Sequence, residues 1–109
     1  MEESIDARFQ MILYAGNSES ASYIALECSR EKNFVEANKQ VIEAGEELRK
    51  AHQIQTELLQ SQAAGKKIQT DILMIHAQDH FAMATVLKAM ALEMIQLYEE
   101  VNELKEKIK

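Results

Sequence analysis

Ile68-Gln69-Thr70-Asp71-Ile72-Leu73-Met74-Ile75-His76-Ala77-Gln78-Asp79-His80-Phe81-Ala82-Met83 opens the stretch that decides the fold. From Ile68 an apolar pattern runs to Ile108 without a proline or a glycine. Two seams can be traced along it. One reads Leu73, His76, His80, Met83, Leu87, Met90, Met94, Leu97, Val101, Leu104, Ile108; the other reads Ile68, Ile72, Ile75, Asp79, Ala82, Val86, Ala89, Glu93. Both step alternately by three and four residues, the spacing that keeps side chains on one side of a helix. Together they form one broad apolar face, interrupted by His76 and His80 on one seam and Asp79 on the other. Ionisable groups on such a face are costly unless they are partnered, so these three residues need a reason to be there.

Working outward, Ser61 to Lys67 is a break, with Gly65 placed to end a preceding helix. That helix is expected to start after Asn33, which with Glu36 resembles a capping box. Its inner stripe reads Phe34, Val41, Ala44, Leu48, Ala51, Gln55 and Leu58, and its outer face is charged. A first helix is expected from Ser4 as N-cap, with Asp6 in its first turn. It carries Ile5, Phe9, Ile12, Gly16, Tyr23 and Leu26 on one side and ends near Ser29–Lys32. Gly16 sits inside this run, which is read as a place where another helix comes close. The last turns, Glu99 to Lys109, are highly charged and are expected to fray.

With 109 residues, no proline and few aromatics, the chain is a single domain, residues 1–109. Ala, Leu, Ile, Met, Glu, Lys and Gln dominate, a mixture that favours helix. The expected class is all-α, an antiparallel three-helix bundle. The third helix has more apolar face than two neighbours can cover, so one seam should pack inside and the other against further copies of the chain. A net charge of −6 argues against nucleic acid as partner. The acidic start Met1-Glu2-Glu3 has no basic signal-peptide opening. The most apolar run, Phe81–Ile95, is short for a bilayer and broken by Lys88 and Glu93. A cytoplasmic protein without membrane insertion is expected. The lone Cys28 excludes an internal disulfide and reads as a buried, inert thiol.

His76 and His80, four apart, share a helix face, and Asp79 lies to one side. One reading is structural: a non-catalytic helical oligomerisation module whose polar cluster sets register. A metal site is a second reading, since His at i and i+4 is a zinc-helix spacing, but a four-ligand set within one chain lacks members. The third is nucleophilic. No Ser or Cys is aligned for acyl transfer, whereas phosphoryl transfer to an imidazole needs mainly positioning and charge stabilisation. A phosphoryl group on His76 would sit close to Asp79. That is tolerable if copies of Asp79 converge on a symmetry axis and share a divalent cation through oxygen ligands. Gln78, His80, His52 and Gln55 are the candidate supporting groups, some of them open to coming from a neighbouring subunit.

The pentapeptide His76-Ala77-Gln78-Asp79-His80, preceded by Ile72-Leu73-Met74-Ile75, resembles the active-site signature of one protein family. This is the enzyme IIA component of the phosphoenolpyruvate-dependent sugar phosphotransferase system (PTS), lactose/cellobiose family. Ala15-Gly16-Asn17 with Ser20, and Ala51-His52-Gln53-Ile54-Gln55-Thr56, match in order, and Gly65 falls where the family has a glycine. The resemblance spans about Ile5 to Val101. It implies a homotrimer of three-helix subunits, with Asp79 binding one shared Mg2+ on the axis. It implies that His76 is phosphorylated on Nε2 by the phosphocarrier HPr. The phosphoryl group would pass to a cysteine of the cognate IIB component and serve uptake, through the IIC permease, of a disaccharide such as cellobiose or lactose. The chain departs from the pattern at Phe81-Ala82-Met83, at Glu19, where a basic residue is common, and at Gln62, where an acidic one is common.

Overall fold

The computed structural model describes residues 6–109. Three helices follow one another, α1 (Ala7–Arg30), α2 (Phe34–Ala63) and α3 (Ile72–Ile108). They form the expected antiparallel bundle, elongated to 64 × 26 × 21 Å. α1 packs against both of the others, and α2 and α3 touch less extensively.

Each helix end has a local cause. Asp6, not Ser4, caps α1: its carboxylate accepts from the Arg8 backbone N–H. Ser4 and Ile5 lie outside the described residues. α1 ends in a Schellman motif, with Asn33 N–H donating to Cys28 O and Lys32 N–H to Ser29 O. Lys32 there takes the left-handed conformation, φ 66°. Asn33 caps α2 by accepting from the Glu36 N–H, half of the expected box. The Glu36 carboxylate accepts from Gln40 instead of reaching back. α2 closes on a second Schellman motif, Lys66 N–H to Ser61 O and Gly65 N–H to Gln62 O, with Gly65 at φ +95°. α3 starts four residues later than expected, because Asp71 accepts from the Met74 N–H and makes Ile72 the first helical residue. His76 therefore lies about one turn from the helix start.

The core is made of small side chains. Ala15, Ala51 and Ala84 form one cluster with Tyr14, Leu48 and Phe81 packed on it; Ala25, Ala37, Val41 and Ile95 form another. Ser18 is fully buried and donates to Ala44 O at 2.8 Å, tying α1 to α2. The stripe expected on α2 is the one that packs. On α1 and α3 the packed stripe differs from expectation. Phe9 and Tyr23 are exposed, and α1 turns Met11, Ala15, Ser18, Ser22 and Ala25 inward. On α3 neither seam lies inside. The buried line is Met74, Ala77, Ala84, Ala91 and Ile95, with Phe81 between. Ile72, Ile75, Met83, Val86, Met90 and Leu97 stay exposed. Close helix packing selects the alanines, because a small side chain lets two backbones approach where a methionine would hold them apart.

Three smaller expectations also change. A Cβ built on Gly16 meets nothing within 4 Å, so no helix of this chain approaches there. The charged end of α3 is helical to Ile108, with Lys105 and Lys107 complementing the dipole of its last turn. One 18-residue window within α3 reaches a mean hydropathy of 1.3, so by length and composition this helix is long and apolar enough to cross a membrane, whereas Phe81–Ile95 alone is too short. One stripe of it is nonetheless occupied by α1 and α2. Cys28 is half-buried, and desolvation, with Glu36, Glu31 and Glu27 nearby, pushes its thiol above the ordinary range. Such a thiol is a poor nucleophile at neutral pH.

Candidate functional site

The α3 helix distributes the polar cluster around its circumference. At about 100° per residue, His80 lies on the flank facing α1, and His76 lies beside it, turned further toward solvent. Gln78 is about 160° away from His80, on the flank facing α2. Asp79 falls between the two flanks, on the side opposite the core, and is exposed.

On the α1 flank the rings of His76 and His80 meet edge to face, with centroids 4.6 Å apart and planes at 86°. His76 is exposed and His80 half-buried. His80 Nδ1 lies 2.9 Å from Glu19 Oε1, a contact from α3 to α1. An ionised carboxylate can only accept, so this bond places the His80 proton on Nδ1. In the neutral ring Nε2 is then a free acceptor; in the imidazolium it is a second donor. Glu19 was legible in the sequence only as a departure from the family pattern. Nothing in the residue order announces that a residue 61 positions away meets His80.

On the α2 flank Gln78 Nε2 donates to Gln55 Oε1 at 2.7 Å. Gln55, Gln78 and Asp79 line a groove of about 340 Å3 with Leu58, Ile68 and Ile75. His52 packs its ring against Phe81, with centroids 5.9 Å apart. The expected supporting shell is thus divided. His80 accompanies His76, whereas Gln78, Gln55 and His52 belong to the other flank and do not converge on His76 within one subunit. The reason is helical geometry: two residues along a helix is slightly more than half a turn.

Asp79 stands among Ile72, Ile75, Ala82 and Val86 on the apolar outer face. Among the described residues, no group of three or more His, Cys, Asp or Glu is placed to hold a metal ion. A single subunit supplies one carboxylate at this point, so a shared divalent cation fits these residues only where several copies meet.

Just above this cluster, at the start of α3, Arg8 forms a clasp. Its guanidinium donates to Asp6 and, at 2.6 Å, to Asp71, joining the caps of α1 and α3. Hydrogen bonds from Arg8 hold the Asp6 carboxyl down at about 2. Asp71 is also held below the usual carboxylate range, first by the Met74 N–H and then by Arg8.

The family model for the PTS system lactose/cellobiose-specific IIA subunit matches residues 6–99. The chain belongs to this family. The lichenan-specific phosphotransferase enzyme IIA component of Bacillus subtilis is 44% identical, over 94% of this chain and 93% of that protein. Among solved structures, the PTS cellobiose-specific enzyme IIA from Bacillus anthracis superposes with a TM-score of 0.89 at 38% identity, over 94% of each chain. The IIA(chitobiose) protein of the N,N'-diacetylchitobiose branch of the Escherichia coli phosphotransferase system, solved in complex with HPr, gives a TM-score of 0.78 at 25% identity. That match covers 94% of this chain and 99% of the other. The three-helix bundle is therefore the shared fold of this IIA family. His76, Gln78, Asp79 and His80 lie inside the matched region.

Proposed function

We propose that this IIA chain is the phosphoryl carrier between HPr and a IIB component in uptake of a disaccharide of the cellobiose or lactose type. The observation that carries the reading is the exposed His76 imidazole, standing edge to face with a histidine whose other nitrogen is already engaged. His76 Nε2 attacks the phosphorus of phospho-HPr, and the bond joining phosphorus to HPr breaks as the N–P bond forms. A cysteine thiolate of IIB then attacks the same phosphorus, and the N–P electron pair returns to the imidazole. This chemistry asks the protein for position and charge stabilisation rather than acid–base work on carbon. The IIC permease stands downstream of IIB, and the carrier works in the cytoplasm.

The same reading includes a homotrimer built through the outer face of α3. His76 and Gln78 lie on opposite flanks of that face, about 60° and 100° to either side of Asp79. In a closed ring one flank of a subunit meets the opposite flank of its neighbour. Gln78, Gln55 and His52 would then support His76 of the next subunit, although they miss their own. Asp79, in the middle of the face, would converge with its copies on the axis. Mg2+ bound by those carboxylates would supply positive charge against their mutual repulsion.

The test is phosphoryl incorporation. Incubated with phosphoenolpyruvate, enzyme I and HPr, the chain gains an acid-labile, base-stable adduct that mass spectrometry places on His76. The His76→Ala chain gains none. An adduct undiminished in His76→Ala, or none on the unaltered chain, would favour a purely structural oligomerisation module.

A further inference from the structure

We propose that Glu93 meets its own copies in the seam between subunits and acts as a charge brake on their assembly. This rests on the trimer built through the outer face of α3. Between Ile72 and Leu97 that helix carries two carboxylates, Asp79 and Glu93, fourteen residues apart. Fourteen residues is two heptads, so the pair differ by about 40° in direction and about 21 Å in height. Both are exposed on the outer side, where Val86, Met90 and Leu97 also stand free. Parallel helices that wind around one another keep every seventh residue at the shared seam. A ring that brings the Asp79 copies together therefore brings the Glu93 copies together too.

The two carboxylates differ in what can offset their charge. Asp79 has the shared cation of the proposed assembly. Among the described residues, no Lys, Arg or His comes within ion-pair distance of Glu93. Lys88, five residues earlier on the same helix, stands about 140° away around it. It lies over α2, where a Cβ on Gly45 would be 3.5 Å from its Cε, and so it cannot serve the seam. Glu100, one heptad further on, adds charge of the same sign. Like charges set side by side across an interface cost binding free energy. A single polar position in an apolar seam lowers stability without preventing assembly. The cost reaches function, because Gln78, Gln55 and His52 would support His76 of the next subunit. A chain that leaves the ring loses that support, so the brake sets the concentration at which the carrier is complete.

The experiment follows assembly by sedimentation velocity over a dilution series at neutral pH. Glu93→Gln keeps the shape of the side chain and removes its charge. Its midpoint concentration for dissociation is expected to be at least about tenfold lower than that of the unaltered chain. Glu93→Lys restores like charges and is expected to assemble no more tightly than the unaltered chain. In an equal mixture of the unaltered and Glu93→Lys chains, one of them labelled with nitrogen-15, mixed trimers should exceed the random proportion in native mass spectrometry. Glu93 is exposed in the single subunit, so circular dichroism should report an intact bundle in each variant. A midpoint unmoved by Glu93→Gln, or mixing in random proportion, would overturn the brake and leave the trimer standing. A single-chain mass at every concentration, in both the unaltered chain and Glu93→Gln, would overturn trimer and brake together. Labelling of His76 is read independently, so neither failure is mistaken for failure of the carrier reading.

Discussion

Arg8 does more for the architecture around His76 than its single charge suggests. It joins Asp6 and Asp71, the two residues that start α1 and α3, at the end of the bundle where His76 lies. Both carboxyls ionise below their ordinary values, Asp6 at about 2. Groups held low in the folded state add stability that is complete above their unfolded value, about 3.9, and that disappears as pH falls through the folded one. The melting temperature should therefore decline between about pH 5 and pH 2. In Asp71→Asn, where the cap acceptor remains but the charge is gone, that decline should be shallower. Melting followed by circular dichroism across this range checks it; an unchanged slope would mean that the clasp contributes nothing in solution. Cys28 is a contrasting case. Its carboxylate neighbours and partial burial both disfavour the thiolate, in accord with an inert thiol.

At the scale of elements, the two helix ends that use a Schellman closure differ in one residue. α2 ends through Gly65, which can hold a positive φ freely; α1 ends through Lys32, which cannot. A left-handed conformation costs an L-residue roughly 1–2 kcal/mol. Lys32→Gly is therefore expected to stabilise the chain by about 1 kcal/mol, read as a higher midpoint in urea with an unchanged slope. Gly65 already has this advantage: a Cβ there would have room, but φ +95° would strain any other residue. The packed stripes follow a comparable local logic. α1 contributes Ala15, Ser18, Ser22 and Ala25 and α3 contributes Ala77, Ala84 and Ala91, so these helices sit close and large side chains are left outside. Apolar periodicity correctly shows that α3 is a helix. It does not show which of several apolar stripes faces inward, because nearly every stripe on that helix is apolar.

For the molecule as a whole, the outer face of α3 is the feature a lone subunit does not explain. Ile75, Met83, Val86, Met90, Leu97 and Val101 are all between 40% and 62% exposed. Patches of this extent on a soluble protein mark an interaction surface. Light scattering of the purified chain is expected to give a mass three times the 12.4 kDa of one subunit. Val86→Glu should shift it toward the single-chain mass, because a carboxylate cannot be buried unpaired in an apolar interface. Asp79→Ala and a chelator should each alter the melting temperature of the assembly if the axial carboxylates hold Mg2+. An assembly indifferent to both would have no need of the cation.

The residues in their order determine that this chain is helical, that one break falls near Asn33 and another near Gly65, that Gly65 ends one helix, and which pentapeptide gathers ionisable groups on an apolar helix. Those features depend on contacts within a few residues, on capping, propensity and period, so they can be read locally. The family resemblance could be read for the same reason, since its signature is contiguous. Tertiary structure alone decides three other matters. It selects the alanine stripe of α3 over two larger apolar seams, because backbone approach favours the smallest side chains. It separates Gln78, Gln55 and His52 from His76, because one helix points them to different neighbours. It also brings Glu19 to His80 across 61 residues of sequence, a meeting set by the register of α1 against α3 that no local pattern encodes.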